Sequence, residues 1–291
     1  MFDTEKMIDI LIPTVAQGLL WALLALGVYI TFRVLDIADL SVEGSFPLGA
    51  AVAATALVNG YGMLIAFFLA AIAGALAGIV TGFFTTRLKI PALLAGILTM
   101  IGLYSVNLHV MGKANVALLR VDTIFSYAES FGMSATVAML TVGVVAAVFI
   151  GCLMYWFFGA TGCNSQMARA QGVNTNRMIV LGLLISNALV ALSGALVAQS
   201  NGFADVGMGT GTIVIGLASV IIGEVLFGTK SFKNCLISVI LGSIVYRLVI
   251  AVVLQLGMPP NDLKLFTALL VALALSMPLI REKWRERQRR A

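Results

Sequence analysis

The stretch ADLSVEGSFPLGA, residues 38–50, decides the fold of this chain, because a similar stretch, ADVGMGTGTIVIG, occurs at residues 204–216. Each begins with Ala-Asp, continues with small residues and leads into a helix rich in small side chains. The apolar segments that follow, 44–58 and 212–228, would be about 22 and 25 Å long at about 1.5 Å per residue. Because the hydrocarbon core of a bilayer is about 30 Å thick, both segments are short for a complete span.

The whole chain is strongly apolar, with a mean hydropathy of +1.05, 60% hydrophobic residues and 11% charged residues. Apolar runs long enough for a spanning helix, about 20 residues, recur along it. The sequence therefore predicts an all-α polytopic membrane protein with a single transmembrane domain, residues 1–291, no large soluble domain and no cleavable signal peptide. The predicted apolar segments, about nine in number, are 8–32, 44–58, 62–86, 91–110, 132–158, 177–200, 212–228, 233–256 and 263–280.

The helices after the two short segments also share a spacing, GFFTTRL from Gly82 and GSIVYRL from Gly242. The members of each pair are five segments apart in order along the chain, so the two copies run in opposite directions. An inverted repeat with short or interrupted helices is how many transporters build a site near the bilayer midplane. We predict such a repeat, in which Arg247 is the counterpart of Arg87 and lies near the opposite membrane surface.

The distribution of Lys and Arg predicts the orientation in the membrane. If the amino terminus is outside, the inner side collects thirteen basic residues and the outer side four. We therefore predict an external amino terminus, a cytoplasmic loop at 159–176 and a basic cytoplasmic tail at 281–291 that contacts anionic lipid head groups. The net charge of +5 does not indicate nucleic-acid binding, because the basic residues lie at helix ends and in the tail.

The stretch TGCNSQMARAQGVNTNRM, residues 161–178, contrasts with its apolar surroundings. Asn164 to Gln171 is predicted to form a short exposed helix that Gly172 ends, and Thr175 or Asn176 is predicted to cap the next membrane helix. Two Ala side chains beside one Arg suit insertion into a cleft of another protein, whereas a polar connector is the alternative. The predicted contact residues are Asn164, Ser165, Gln166, Ala168, Arg169, Ala170, Gln171 and Gly172.

Polar side chains in the apolar segments are candidates for a translocation path, because ionisable groups are costly in a membrane and often functional. Glu43 has an alternative structural role as a cap after Ser41, since an acid suits the positive end of a helix dipole. For Glu224 the alternative is an ion pair or a hydrogen bond between helices. The candidate path residues are Glu43, Ser45, Asn107, His109, Thr212 and Glu224.

Further polar residues are predicted to act inside the bundle. Tyr104, Asn107 and His109 can border a polar cavity, although a lone His is more often a satisfied interior group. Asn187 and Gln199 are predicted to form hydrogen bonds between helices rather than to line a pore.

No metal site, cofactor or catalytic constellation is predicted. Cys152, Cys163 and Cys235 form no CxxC pair and the chain has one His, whereas a zinc site needs about four clustered ligands. The stretch GEVLFGTKS from Gly223 differs from the phosphate-binding loop GxxxxGK[ST], because Thr229 separates the Gly from the Lys. We therefore do not expect this chain to hydrolyse ATP.

The stretch FGATGCNSQMARAQGVNTNRMIVLGLLISNALVALSGALVAQ, residues 158–199, resembles the core of permeases of bacterial ABC importers for branched-chain amino acids and simple sugars. Three further stretches resemble a subgroup with an amino-acid substrate, tryptophan or tyrosine in the better-known cases. They are LSVEGSFPLGAAVAA, LTMIGLYSVNLHVMGKANVALL and FADVGMGTGTIVIGLASVIIGEVLFG. The resemblance covers about residues 15–280, but sugar permeases are usually longer, so their helix counts do not transfer.

The resemblance implies that the cytoplasmic helix docks into a groove on a separate ATPase subunit. It also implies a homodimer, with a two-fold axis along the pore, and an external solute-binding protein that delivers the solute. The expected substrate is an amino acid with an aromatic or branched-chain side chain. A sugar-importing ABC permease, an ion-coupled secondary transporter, and a membrane scaffold or lipid-modifying enzyme are the alternatives.

Overall fold

The computed structural model describes residues 4–158, 172 and 174–290. A π-helical turn, Ile30–Val34, continues the first helix, and a short 3-10 helix, Pro260–Asp262, precedes the last one. The elements are α1 (Thr4–Tyr29), α2 (Val42–Val58), α3 (Met63–Thr86), α4 (Ala92–Met111), β1 (Asn115–Ala117), α5 (Ile124–Glu129), α6 (Ala135–Phe158), α7 (Thr175–Asn201), β2 (Phe203–Asp205), α8 (Thr212–Phe227), α9 (Phe232–Gln255) and α10 (Leu263–Arg290).

Each predicted apolar segment corresponds to a helix, which confirms the all-α membrane fold class. Seven of the described helices are long and apolar enough to cross a membrane. Two further apolar helices, α2 and α8, have only 17 and 16 residues. The prediction of about nine segments therefore holds for apolar helices, whereas length supports only seven of them as complete spans.

Two small features were not predicted, and both lie at one end of the bundle. The strands β1 and β2 pair antiparallel, with Val116 opposite Ala204. The helix α5 begins with a capping box, in which the Thr123 hydroxyl accepts from the Ser126 backbone N–H and the Ser126 hydroxyl accepts from the Thr123 N–H. We call this the strand end, and the opposite end, where Arg33 lies, the basic end.

The core of the bundle is built around α1. Leu20, Leu23, Leu24 and Leu26 are at most 2% exposed, because α6, α7, α8 and α9 all pack against this helix. Burial of such side chains contributes about 1.5–3 kcal/mol each when they leave water, although lipid removes much of that drive in a membrane.

The helix contacts follow the predicted inverted repeat. The prediction pairs α2 with α8 and α3 with α9, and the same offset along the chain pairs α1 with α7 and α4 with α10. Helix α3 packs against α7, and the equivalent contact in the other half is α9 against α1. Helix α2 packs against α4 and α7, and the equivalent contacts are α8 against α10 and α1. This pattern supports a pseudo-two-fold relation between the halves.

Small residues allow these helices to approach closely, as the Gly- and Ala-rich sequence of α3 predicts. A Cβ atom added at Gly78 would lie 2.3 Å from the Leu183 carbonyl oxygen, and one at Gly74 would lie 2.4 Å from the Asn187 carbonyl oxygen. Both contacts join α3 to α7 through backbone, so larger side chains would force the two helices apart.

The prediction that Arg247 mirrors Arg87 near a membrane surface is wrong in its detail. Arg87 is exposed at the end of α3. Arg247 lies eight positions before the end of α9, its Nε atom is buried, and its guanidinium stacks 4.2 Å from the centre of the Trp21 ring. The two arginines share a spacing from Gly, but Gly82 lies four positions before the end of α3, whereas Gly242 lies thirteen positions before the end of α9.

Candidate translocation site

The short helices α2 and α8 begin deep inside the bundle. The Ser45 hydroxyl in the first turn of α2 donates a 2.5 Å hydrogen bond to Asn187, near the middle of α7. The backbone N–H of Gly211, at the start of α8, donates to Glu43 Oε1 at 3.1 Å. The amino-terminal ends of two oppositely directed short helices therefore meet at about half the depth of the bundle, which is how interrupted helices form transporter sites.

The two Ala-Asp stretches fold in the same local way. Asp39 Oδ1 accepts from the backbone N–H of Ser41 at 3.0 Å, and Asp205 Oδ1 accepts from the backbone N–H of Gly207 at 2.7 Å. Each is an Asx turn, in which the Asp carboxylate accepts a hydrogen bond from the backbone N–H two residues later. The turn explains why both copies of the repeat carry Asp at this position.

Asp39 also belongs to a buried polar network that joins the α1–α2 connection to α7. Asn187 Nδ2 donates to Asp39 Oδ2 at 3.1 Å and to the Leu183 carbonyl at 2.9 Å. The Ser41 hydroxyl lies between Asp39 and Asn187, hydrogen-bonded to both. The network satisfies polar groups that would otherwise be costly at this depth. Asn187 thus connects helices, as predicted.

A cavity of about 420 Å³ opens beside the meeting point of the short helices. It lies between the first turns of α2, the middle of α4 and the segment before α8. Its volume falls within the roughly 300–1,000 Å³ typical of small-molecule sites. Its lining includes Glu43, Pro47, Met100, Tyr104, Asn107 and Thr210.

The structure brings together only two of the six candidate path residues, Glu43 and Asn107, which both line this cavity. Ser45 and Thr212 are buried nearby, but their hydroxyls bond to Asn187 and to the Gly209 carbonyl. They therefore act as structural groups in this conformation.

His109 and Glu224 lie away from the cavity lining. His109 is exposed, and its Nδ1 atom lies 2.8 Å from the Ser105 carbonyl. Of the three residues expected to border a cavity, Tyr104 and Asn107 do so and His109 does not, because residues two apart point to opposite sides of a helix. Glu224 forms an ion pair with Arg33 at the basic end, with Arg33 Nε to Glu224 Oε1 at 2.8 Å.

The side-chain cap that was considered for α2 is not observed. Glu43 does not cap its own helix; its carboxylate accepts from the start of α8 instead. Gln199 Oε1 accepts from the backbone N–H of Ile124 at 2.9 Å, so this residue connects α7 to α5, as predicted. Thr210 and Met100 were missed, because nothing in an apolar sequence marks the side of a helix that borders a cavity.

The predicted coupling residues lie outside the described residues, except Gly172. Gly172 has a φ of 81°, a left-handed conformation that glycine adopts at little cost. The cap of the following helix is Asn174, whose side chain accepts from the Asn176 N–H at 3.1 Å. The predicted caps, Thr175 and Asn176, were therefore one and two positions too late.

Comparison with known proteins agrees with this architecture. Residues 10–275 match the family model described as branched-chain amino acid transport system / permease component. A tyrosine transport system permease protein of Clostridioides difficile is 40% identical, over 90% of this chain and 88% of that protein. An uncharacterised protein of Rickettsia prowazekii is 33% identical, over 92% and 97%.

More distant similarities are also present. An autoinducer 2 import system permease protein of Enterobacter is 32% identical, over 62% of this chain and 53% of that protein. The solved structure of PsaBC from Streptococcus pneumoniae in complex with Fab has a TM-score of 0.50 at 19% identity, covering 91% of this chain and 89% of that chain. This second likeness concerns the fold alone.

The fold is a multi-pass helical bundle, with two short apolar helices that begin inside it. The family match makes the assignment specific: the chain belongs to the branched-chain amino acid transport system permease components. It is therefore a permease subunit of an ABC importer in the cell membrane, as the sequence resemblance predicted.

Proposed function

We propose that this permease subunit forms the path of an importer for an amino acid with an aromatic or branched-chain side chain. The observation that carries the proposal is the 40% identity, over 90% of the chain, to a tyrosine transport system permease protein. The cavity beside α2 supports it, because an apolar wall with a few polar groups suits a solute of that kind.

The partners in this proposal follow from the predicted orientation. The amino terminus is external, and the 159–176 loop and the tail are cytoplasmic. The loop docks into a separate ATPase subunit, which hydrolyses ATP, while this chain has no catalytic role. A second copy of the chain completes the pore, an external solute-binding protein delivers the solute, and lipid head groups contact the tail.

The family match favours this proposal over an ion-coupled secondary transporter, because residues 10–275 match a permease component of a branched-chain amino acid transport system.

The test combines purification with transport. The tagged permease is purified from membranes that express its neighbouring transport genes, and co-purification of an ABC ATPase is expected. Uptake of radiolabelled tyrosine, tryptophan, leucine and ribose is then compared between cells with and without the permease. Uptake of ribose alone would refute the amino-acid assignment, and transport without an associated ATPase would refute the ABC mechanism.

A further inference from the structure

We propose that the cavity between α2 and α4 binds the ammonium group of the solute, through the Glu43 carboxylate and the Oδ1 atom of Asn107. The inference rests on the proposed function, since it names the part of an amino acid that this cavity recognises. It makes these two residues binding groups rather than incidental lining.

Glu43 has an acceptor that the fold does not use. Its Oε1 atom accepts from the Gly211 N–H, whereas Oε2 accepts no hydrogen bond from the described residues. Over that same part of the chain, no Lys, Arg or His nitrogen lies within 4.0 Å of the carboxylate, in contrast to Glu224 with Arg33. A carboxylate at this depth is costly without a partner of opposite charge, so a bound cation would complete the site.

Asn107 presents a second unused acceptor. Its side chain is 1% exposed, and Nδ2 donates to the Gly44 carbonyl at 3.3 Å. Because a carbonyl oxygen can only accept, this bond determines which end of the amide faces Gly44. The Oδ1 atom is therefore on the other side, where it has no hydrogen-bond partner. Buried polar groups are nearly always satisfied in native proteins, so a missing donor is the expected occupant.

The chemistry of the lining selects the kind of ligand. Glu43 and Asn107 both line one cavity, each with an acceptor that has no partner in the described part of the chain, and an ammonium group carries three donors and no acceptor. Met100, Pro47 and Tyr104 form the apolar remainder of the wall and suit a hydrophobic side chain. No Lys, Arg or His is among the described residues that line the cavity. The site therefore recognises the ammonium group of the solute.

Solute binding is measured on the permease itself, so that the selectivity of the external binding protein does not affect the result. The full-length permease with its ATPase is placed in lipid nanodiscs, and binding of radiolabelled L-tyrosine is measured without the binding protein. Two competitors each lack one group: tyramine has no carboxylate, and 3-(4-hydroxyphenyl)propionate has no ammonium. Tyramine is expected to compete within about threefold of tyrosine, and the deaminated acid about tenfold or more weakly, as loss of a charge-assisted hydrogen bond predicts.

Matched variants test the two residues. Glu43→Gln keeps an oxygen that accepts from Gly211 and removes the charge, so it should fold and bind tyrosine about tenfold or more weakly. Asn107→Asp keeps an acceptor and should retain binding, whereas Asn107→Leu should lose it. The controls are Glu129→Gln and Asn59→Leu, both exposed at the strand end. Monodispersity and melting temperature are recorded for every variant.

Three results would overturn the inference: equal competition by the deaminated acid, unchanged binding in Glu43→Gln, or no binding by the wild-type permease. If uptake in cells still requires the permease and its ATPase, the importer assignment stands while this site is refuted. If no amino acid is imported at all, the proposed function fails first and the inference fails with it.

Discussion

Replacing Gly194 with Ala should destabilise the protein, because this glycine is where α7 touches α2. A Cβ atom at Gly194 would lie 2.0 Å from the carbonyl oxygen of Phe46, 2.9 Å from its carbonyl carbon and 3.3 Å from its Cα. All three are backbone atoms, so no side-chain rotation relieves the clash. On another side of α7, the Ser193 hydroxyl donates to the Leu20 carbonyl at 2.8 Å, which opposes a shift of the helix away from α2.

The size of the destabilisation follows from the distance by which the backbones of α2 and α7 must move apart. Ordinary contact begins near 3.4 Å, so the two backbones must separate by about 1.4 Å along this line. Overpacking of this kind costs about 1–3 kcal/mol or more. Gly102→Ala is the matched control, because it lies in the middle of α4 and an added Cβ meets no atom within 4 Å. There Ala should gain up to about 1 kcal/mol from its higher helix propensity.

The assay is the melting temperature of each detergent-purified variant, followed by intrinsic fluorescence. At about 2–4 °C per kcal/mol, as in globular chains of similar size, a loss of 1–3 kcal/mol lowers the midpoint by about 2–12 °C. If Gly194→Ala and Gly102→Ala melt at the same temperature, α2 does not pack against α7 at this depth, and the placement of the cavity beside α2 loses its basis.

Three further experiments, with four substitutions, test the remaining parts of the structure and the proposal. Glu224→Gln should destabilise the protein by no more than about 1 kcal/mol, because the side chain of its partner Arg33 is 47% exposed and water and salt screen the ion pair. The melting temperature at low and high salt measures this effect. A loss well above about 1 kcal/mol that persists in high salt would contradict the expectation. Arg169→Glu should reduce co-purification of the ATPase because a charge pair is lost, and Ala170→Trp should reduce it because the larger side chain overpacks the contact. Neither variant should change the monodispersity of the permease. Normal ATPase binding by both variants would mean that the loop is a simple connector. Cys introduced at Gln166 should resist membrane-impermeant reagents in intact cells and react in inverted vesicles; labelling from outside would reverse the orientation.

Local sequence rules predicted much of the bundle. The boundaries of the apolar segments agree with the helices to within about four residues, because a spanning helix in lipid must satisfy its own backbone and needs a minimum apolar length. The exception is the last segment, predicted to end at 280, whose helix α10 continues through the basic tail to Arg290. The Ala-Asp stretches were recognised as repeat partners, and the Asx turn at each Asp is a local structure that two residues suffice to define. The small residues of α3 likewise predicted close helix packing, but they did not identify α7 as the partner.

Other features depended on contacts between distant parts of the chain. Glu43 meets Gly211, 168 positions later, and Asn187 satisfies Asp39, 148 positions earlier. Asn107 borders the cavity whereas its near neighbour His109 does not. In an apolar helix, lipid and protein interior favour the same residue types, so hydropathy reveals that a helix crosses the membrane but not which side faces its neighbours. The depth and direction of each side chain are therefore decided by packing between helices, which only the tertiary structure contains.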